Sequence, residues 1–591
     1  MRSISLLSLC LLFLVMLWTT SCSTLSSRDN RQPRVAAPDP NELILVATSD
    51  FHAALGRAEG LASVLRSLKA QYGEQMLHLD GGDLFQGSLE GNLSKGKSIV
   101  DFFNAVGLDA AAIGNHDLDF GPATIGRISV KGGEDGMGNI KARVRQGRFK
   151  WLSANIVRTS KARCRQHHGA QIEHCNALGQ RTVFEPHAIF QRAGRKVCVI
   201  GVTSFGTPAI TRPEFIKGVH FEELRPVVEA EAKHLREKEA CDLVLLTAHA
   251  GLLCNPDPTK SEHPHLDGHC KLEGDRAEML RLLRELPEGT LDAVVAGHTH
   301  MLAQEAVHGT PVLEAGTGAK SVGVLHLSGA HDTGLRARYE AFMTVPETAS
   351  VPDITATLKP YRDSASEIRA RPSGSATAPF VKNYGAENAL ANLIADSIRL
   401  MASEVAGADF ALINAGGIRG EQLPAGSLTY ADVFNVLPFD NSLTVVNMRG
   451  AELRRLLEIA LSGGHGVGGI SGLRVKRQAA APGQRGSWDR DLDGDGKKED
   501  WERNLIVEIT DDAGTPLDDE KYYKVATMDF LVSGGDHEAV VYNDIPAKRK
   551  QAFPDIWERD ILSDYLKKHP DVNPKDYYSP ARPRVTNIAP R

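Results

Sequence analysis

The chain has 591 residues, of which 42% are hydrophobic and 24% are charged, and its formal net charge is −6 at pH 7. This length exceeds what one hydrophobic core normally organises, so we expect two domains. The composition is that of a globular protein. A negative net charge gives no electrostatic reason to expect polymeric nucleic acid as a partner, and a small substrate is favoured instead.

The N-terminal residues have the pattern of an export signal. A basic residue precedes an apolar run, residues 4–18, which is shorter than the roughly 20 residues that span a bilayer. Thr19-Thr20-Ser21-Cys22 resembles a bacterial lipobox, in which Cys22 carries a lipid that anchors the protein to a membrane. A plain cleaved signal is the alternative. We predict a signal peptide over residues 1–22, a flexible tether over 23–40, and a location in the periplasm or cell envelope.

An even number of cysteines follows the signal, which permits disulfides in an oxidising compartment. These residues are Cys164, Cys175, Cys198, Cys241, Cys254 and Cys270. We predict one disulfide within the first pair and one within the last pair, because each pair encloses a short polar segment. The middle two lie in or beside apolar strand-like runs, where a disulfide and buried free thiols both stay open.

Five short polar motifs each lie at or just past the end of an apolar, β-branched run. The runs are residues 43–47, 76–79, 110–113, 243–247 and 293–296. The motifs are Ser49-Asp50-Phe51-His52, Gly82-Asp83, Gly114-Asn115-His116-Asp117-Leu118-Asp119, Ala248-His249-Ala250 and Gly297-His298-Thr299-His300. Residues beyond the carboxyl ends of parallel strands converge on one crevice of an open α/β sheet. Two Asp, one Asn and four His are enough for two divalent metals if one carboxylate bridges them, so we predict a dinuclear site.

This series of motifs resembles the calcineurin-like metallophosphoesterases, and residues 41–585 are similar to the exported bacterial 5′-nucleotidases. The resemblance implies an α/β fold with two sheets flanked by helices in four layers, followed by a second α/β domain that binds substrate. It implies one metal held by Asp50, His52, Asp83 and His300, and a second held by Asp83, Asn115, His249 and His298. It also implies that His116 is catalytic and that Asp119 orients it. Zinc, manganese, cobalt and iron all suit these ligands.

The order of predicted elements supports two domains. Strand-like runs alternate with helical patterns such as residues 58–72 and 221–238, which indicates an α/β domain over residues 41–345. A proline-punctuated, charged helical segment then predicts an interdomain linker over residues 346–375. The substrate-binding domain is expected over residues 376–591.

Three motifs in the second half resemble signatures of that family's C-terminal domain. They are Asn414-Ala415-Gly416-Gly417-Ile418-Arg419, Leu437-Pro438-Phe439 and Ser533-Gly534-Gly535-Asp536. A glycine pair lets the backbone approach a ligand, and Arg419 offers a planar fork for phosphate, so we expect Asn414, Gly416, Gly417 and Arg419 to bind substrate. In nucleotide-cleaving members two aromatic rings sandwich the base. An approximate alignment places Gly464 and Glu538 there, which predicts weak discrimination among bases.

An insertion over residues 489–502 has the EF-hand pattern of calcium ligands. The candidate ligands are Asp491, Asp493, Asp495, Lys497 through its backbone, Glu499 and Glu502, with Gly496 at the sixth loop position. Lys498 departs from the pattern, because an aliphatic residue is usual there. We predict a single structural Ca²⁺ loop, and a solvated acidic loop is the alternative.

The leading functional hypothesis is an exported dinuclear-metal phosphoesterase that hydrolyses small phosphate esters, with nucleoside 5′-monophosphates or related nucleotides as substrates. A phosphatase or cyclic phosphodiesterase for a non-adenine or non-nucleoside substrate is one alternative, and a binding lipoprotein without turnover is another. The complete ligand set, together with His116 and Asp119, argues against the last alternative. The sequence does not indicate an oligomeric state.

Overall fold

The computed structural model describes residues 40–588 except 125–129, 131–132, 160–173, 253–277, 330, 332–333, 464–465, 479–483, 485 and 500. The predicted signal peptide, Cys22 and the tether up to residue 39 lie outside the described residues. Within the described part of the chain, no helix is both long enough and apolar enough to cross a bilayer.

The first half alternates strands and helices, as its sequence pattern predicts. Its strands are β1 Leu43–Thr48, β2 Met76–Asp80, β3 Ala110–Ala112, β4 Lys150–Leu152, β5 Ile156–Arg158, β6 His187–Arg192, β7 Arg195–Thr203, β8 Val219–Phe221, β9 Leu243–His249, β10 Ala293–Ala296, β11 Leu302–Val307, β12 Thr310–Ala315, β13 Ser321–Ser328, β14 Arg336–Tyr339 and β15 Met343–Thr344. Its helices are α1 Ala58–Tyr72, α2 Leu89–Leu93, α3 Lys97–Val106, α4 Gly138–Gln146, α5 Thr207–Ile210, α6 Leu224–Glu237 and α7 Glu278–Glu285.

Two sheets form the middle of this half. The first has the order β14-β13-β1-β2-β3-β4, with β1 to β4 parallel, and the second has the order β11-β12-β10-β9-β7-β6, with β12, β10, β9 and β7 parallel. Alternate side chains of β1 face opposite layers: Leu43 and Leu45 pack against the second sheet, and Ile44 and Val46 pack against the helices. A further apolar cluster joins the second sheet to α6 and α7. The predicted four-layer architecture is confirmed.

A single helix leads into the second half. This helix, α8 Pro352–Arg369, lies within the predicted linker, and its ion pair between Arg362 and Glu59 ties it to α1. The predicted boundaries, residues 41–345, 346–375 and 376–591, stay predictions.

The second half is also an α/β domain. Its strands are β16 Pro372–Ala376, β17 Phe380–Val381, β18 Phe410–Ile413, β19 Gln422–Leu423, β20 Gly426–Thr429, β21 Ser442–Arg449, β22 Gly469–Ser471, β23 Leu473–Gln478, β24 Ile506–Asp511, β25 Tyr522–Met528, β26 Lys550–Trp557 and β27 Val585–Ile588. Its helices are α9 Ala389–Ala406, α10 Tyr430–Val436, α11 Gly450–Ala460, α12 Asp529–Val532, α13 Ala539–Tyr542, α14 Glu558–Lys568 and α15 Pro574–Tyr577. The central sheet has the order β22-β18-β25-β21-β26.

The cysteines in the described residues are partly paired. Cys198 of β7 and Cys241, which precedes β9, form a disulfide across these neighbouring strands. Of the two alternatives for this pair, a disulfide and buried free thiols, the disulfide is therefore the one observed. Cys175 is also disulfide-bonded, but Cys164, Cys254 and Cys270 lie outside the described residues, so both predicted local pairings stay predictions.

Arg212 of the first half binds the second half at several points. Its guanidinium donates to both carboxylate oxygens of Asp529, at 2.8 and 3.1 Å, and to the carbonyl oxygen of Asp440 and the side chain of Asn441. Asn441 in turn contacts Glu558, which is fully buried at the start of α14. A charged network therefore joins the two halves near the predicted substrate motifs.

The buried acid of this network predicts a pH-dependent stability. Burial raises the pKa of Glu558 from its usual 4.5 to about 8. Between these values the unfolded chain releases the proton and the folded chain retains it. The free energy of unfolding therefore falls as pH rises, by at most about 1.4 kcal/mol per pH unit. We expect Glu558→Gln to be more stable than the wild type, with a difference that grows from pH 5 to 8 and is constant above pH 8. Urea unfolding at each pH measures it, and parallel pH curves would contradict it.

Candidate metal centre and substrate cleft

The seven predicted metal ligands lie at the carboxyl ends of five strands. Asp50 follows β1, Asp83 follows β2, Asn115 follows β3, His249 ends β9, and His298 and His300 follow β10, while His52 lies two residues after Asp50. Three of these strands are parallel neighbours in the first sheet, and the other two are parallel neighbours in the second. The packing of the two sheets therefore brings all seven side chains to one edge, as the sequence predicts.

The first donor group consists of Asp50, His52 and His300. The Nε2 atoms of His52 and His300 lie 3.0 Å apart, and Oδ1 of Asp50 lies 3.4 Å from Nε2 of His300. Two ligands that each lie ~2.1 Å from one metal are separated by about 3 Å, so these atoms have the spacing of ligands to a shared cation. Oδ2 of Asp83 lies 3.8 Å from Nε2 of His52, at the edge of this group.

His249 lies at the middle of the second donor group. Its Nε2 is 3.1 Å from Oδ2 of Asp83, 3.0 Å from Oδ1 of Asn115 and 3.1 Å from Nδ1 of His298. Its Nδ1 donates to the carbonyl oxygen of Gly81, which leaves the Nε2 lone pair directed at the group. The same oxygen of Asp83 is therefore within reach of both groups.

The charges of the site suit divalent cations. Asp50 and Asp83 are 0% and 1% exposed, and among the described residues neither forms an ion pair with Lys or Arg. Burial raises the pKa of Asp50 well above its usual range. Burial, reinforced by the Arg419 guanidinium, lowers the pKa of His52 well below its usual value, so this ring is neutral at pH 7. Buried carboxylates among imidazoles form a donor set that divalent metals satisfy.

Five of the seven candidate ligands have a left-handed backbone conformation. The φ angles are 50° at Asp50, 46° at His52, 56° at Asp83, 81° at His298 and 60° at His300. Residues with a Cβ adopt this conformation at a cost of about 1–2 kcal/mol each. Such strain persists where the surrounding structure enforces it, and it concentrates at functional sites. The backbone at these five residues is therefore strained in the conformation that brings their side chains together.

Two glycines give these side chains the room they need. A Cβ at Gly114 would lie 2.1 Å from Oδ1 of Asp83, and one at Gly82 would lie 2.8 Å from Nδ1 of His249. Gly82 also has a φ of 91°, which glycine adopts without strain. The glycines in these two motifs are therefore required by the packing of the ligands.

Two buried acids that do not belong to the donor groups hold the ligand loops. Asp117 accepts hydrogen bonds from the backbone N–H groups of Gly114 and Phe85, at 2.8 and 3.1 Å. Glu314 of β12 accepts from the hydroxyl of Thr299 at 2.6 Å and from the N–H of Met301 at 3.0 Å, so it fixes the loop of His298 and His300. Glu314 is not among the predicted site residues; the signal that the sequence offers for it is an acid inside an apolar strand.

His116 and Asp119 form the predicted pair. Nδ1 of His116 lies 2.6 Å from Oδ2 of Asp119, so Nδ1–H donates a hydrogen bond to the carboxylate and Nε2 is the outer nitrogen. The backbone N–H of His116 donates to Oδ1 of Asp83 at 2.8 Å. The histidine is therefore fixed both to its own acid and to the carboxylate that lies between the two donor groups.

The second half contributes Arg419 to the same cleft. Its Nη2 lies 3.5 Å from Nε2 of His52, and its guanidinium carbon lies 5.8 Å from the centre of the Phe439 ring. Nδ2 of Asn414 donates to Oδ2 of Asp536 at 2.6 Å, which joins the first and third substrate motifs. Gly416 and Gly417 lie on the loop between these residues and Arg419. Of the four predicted substrate residues, Arg419 is the one with a contact to the donor groups.

The expected absence of an aromatic pair stays a prediction. Glu538 is 1% exposed, and Gly464 lies outside the described residues. Two partly exposed rings lie at the substrate motifs. The ring of Phe439 stacks on His116 with centroids 5.5 Å apart, and the ring of Phe530 lies against Gly535. These rings are candidates to contact a base, and the expectation of weak base discrimination also stays a prediction.

The acidic insertion connects the antiparallel strands β23 and β24. It brings the carboxylates of Asp491, Asp493 and Glu502 within 4.8 Å of one another. Glu502 is fully buried and accepts hydrogen bonds from the N–H groups of Leu492 and Glu499, at 2.6 and 2.9 Å. Of the other predicted calcium ligands, Asp495, Lys497 and Glu499 lie on the same loop but outside this group.

Family comparisons agree with both halves of the site. Residues 44–302 match the family model of calcineurin-like phosphoesterases, and residues 372–542 match the model of the 5′-nucleotidase C-terminal domain. Together these segments cover more than half of the chain.

Several known proteins are similar to this chain over most of their length. Protein UshA of Yersinia enterocolitica is 24% identical over 585 residues, covering 91% of this chain and 92% of that protein. A 5′-nucleotidase of Vibrio cholerae is 25% identical, covering 71% of this chain and 75% of that protein. The crystal structure of a 5′-nucleotidase precursor from Thermus thermophilus has the same fold, with a TM-score of 0.70 at 24% identity over 93% of this chain and 100% of that chain. This chain therefore belongs to the two-domain 5′-nucleotidase family, in which a calcineurin-like phosphoesterase domain precedes a 5′-nucleotidase C-terminal domain.

Proposed function

We propose that this protein hydrolyses phosphate monoesters, with nucleoside 5′-monophosphates as its main substrates, at a centre of two divalent metal ions. The observation that carries the proposal is the position of Asp83, whose Oδ2 atom is shared by two groups of metal donors beside His116 and Arg419. The relatives named 5′-nucleotidase support the substrate class.

The donor groups define which residues would hold the metals. Asp50, His52 and His300 would hold one ion, Asn115, His249 and His298 would hold the other, and Asp83 would contact both. When bound, such a pair supplies a nucleophilic water at neutral pH and neutralises charge on the phosphoryl oxygens. Their identity among zinc, manganese, cobalt and iron stays open.

The protein groups complete the reaction. Arg419 reaches the donor groups from the second domain, where its guanidinium pairs with phosphate oxygens. Asp119 directs the outer nitrogen of His116 into the cleft, where this nitrogen donates a proton to the departing alcohol oxygen. Asn414 and Asp536 offer polar atoms to the alcohol part of the ester, and Phe439 and Phe530 offer aromatic faces to a base.

We also propose that the protein is exported, as its N-terminal pattern predicts. The disulfide between Cys198 and Cys241 supports this, because such bonds persist in oxidising compartments. Lipidation at Cys22 stays a prediction.

Replacement of the shared carboxylate tests the metal centre. We expect Asp83→Asn to lower the content of bound divalent metal per chain and to abolish hydrolysis, because the amide loses the charge that both ions share. Elemental analysis after dialysis and turnover of AMP measure the two effects. Asp109→Asn, at the opposite end of the strand before Asn115, is the matched control and should retain metal. Wild-type metal content in Asp83→Asn would contradict the shared role.

The leaving group tests both the reaction and the role of His116. We expect the wild type to hydrolyse AMP and 4-nitrophenyl phosphate, and His116→Asn to lose roughly 10²–10⁴-fold in kcat on AMP while retaining metal. The loss on 4-nitrophenyl phosphate should be much smaller, because nitrophenolate leaves without a proton. Equal losses on the two esters would contradict proton donation. Failure of the wild type on nucleotides, with turnover of other esters or cyclic nucleotides, would favour the alternative substrate class.

We further propose that Ca²⁺ binds the acidic loop as a structural ion. The left-handed turns at Gly494 and Gly496 and the buried carboxylate of Glu502 at the twelfth position match the EF-hand pattern. The inferred ligands are the six predicted from the sequence, with Asp491, Asp493 and Glu502 already gathered.

Thermal melting tests this ion. Because Ca²⁺ that binds only the folded chain stabilises it, we expect Ca²⁺ to raise the Tm by about 2–4 °C with the catalytic metals held constant. Asp491→Ala/Asp493→Ala should abolish the shift, and Asp511→Ala/Asp512→Ala, at the end of β24, should retain it. The same shift in all three proteins would show that Ca²⁺ binds elsewhere.

A further inference from the structure

The insertion between β23 and β24 places a tryptophan against a substrate motif. Trp501 is 4% exposed, and its ring stacks on that of His537 with centroids 4.4 Å apart and planes 7° from parallel. His537 follows Asp536 in the segment of residues 533–538, which we name the substrate loop. The acidic insertion and the substrate loop are therefore in direct contact through two aromatic rings.

The substrate loop has a strained backbone at the point of contact. The φ angles are 53° at Asp536 and 63° at His537, both in the left-handed region. Residues with a Cβ adopt this region at a cost, so contacts outside the loop must hold the conformation. Two of the contacts that the described residues provide are the hydrogen bond from Asn414 to Asp536 and the stack of Trp501 on His537.

We propose that Trp501 is a positioning residue for the substrate loop. By holding the His537 ring, it keeps Asp536 bonded to Asn414 in the arrangement that meets the alcohol part of the substrate. Trp501 acts through His537 and takes no part in the chemical step. The inference rests on the proposed function, because it concerns the binding of the same ester.

The stack lies on the side of the cleft proposed to bind the alcohol part of the substrate, away from the groups proposed to bind phosphate. The phosphate end lies at the donor groups with Arg419, whereas the substrate loop belongs to the alcohol end, where it bonds Asn414. Loss of the stack should therefore weaken binding of the nucleoside part and leave phosphate binding and the chemical step unchanged. A general loss of structure would weaken both ends together.

The experiment measures kcat and KM for AMP, and the inhibition constants of adenosine and inorganic phosphate, with the metal-loaded full chain. We expect Trp501→Leu and His537→Ala each to raise KM and the adenosine inhibition constant about 3- to 10-fold, the range of an aromatic pair. The phosphate inhibition constant and kcat should not change. Trp501→Phe retains a ring and should be close to the wild type, and Trp488→Leu, directly before the insertion, is the matched control.

Two further variants separate the stack from the strain. His537→Gly loses the ring but adopts a φ of 63° without steric cost, so its KM should lie between those of the wild type and His537→Ala. The KM of Trp501→Leu/His537→Ala should be no higher than that of either single variant, because each substitution removes the same stack between the two rings. If Trp501→Leu does not fold, as judged by its melting curve, the two His537 variants decide the question.

Three outcomes would overturn the positioning role. They are an unchanged KM in His537→Ala, a parallel loss of adenosine and phosphate binding, and additive effects in the double variant. Absence of any turnover by the wild type would instead contradict the proposed function itself.

Discussion

The carboxylate of Asp83 is the constraint on which the rest of the site depends. One oxygen lies between two donor groups, each of which combines residues from both sheets, and the other accepts the N–H of His116. The shared position is possible only when the two sheets pack in one register. The close approach of Gly114 to this carboxylate leaves no room for a side chain there. The packing of the two sheets therefore fixes the position of the Asp83 carboxylate relative to both donor groups.

Residues of the first domain help to hold the segment of the second domain that packs beside Arg419. The segment Pro438–Asn441 lies at the interface, and its backbone carbonyls are bonded in succession: Pro438 accepts from Asn92, Phe439 from Arg559 and Asp440 from Arg212. Donors from both domains thus hold one strap of backbone. The ring of Phe439 on this strap contacts both His116 and Arg419, so the strap holds the proposed proton donor close to the proposed phosphate-binding guanidinium.

The strands and the donor residues were predictable because their signals are local. A β-branched run followed by Asp, Asn or His places that side chain at a strand end, and parallel strands bring such ends together. Glu314 and the stack of Trp501 on His537 were not predictable, because each joins residues far apart in the chain. The aromatic positions stay predictions for a related reason. Glycine-rich loops have no periodic pattern to fix an alignment, and the structure shows that Glu538 is buried.

The acidic insertion connects the substrate loop to the proposed Ca²⁺ site. Trp501 and Glu502 are consecutive residues, and Glu502 is fixed by N–H groups on both sides of the acidic turn. Movement of this carboxylate would therefore move the indole that holds His537. If Ca²⁺ binds the acidic turn as proposed, it stabilises the conformation of the substrate loop as well. By linkage, a substrate that binds at Asn414 and Asp536 as proposed would raise the affinity for Ca²⁺ by the same free energy.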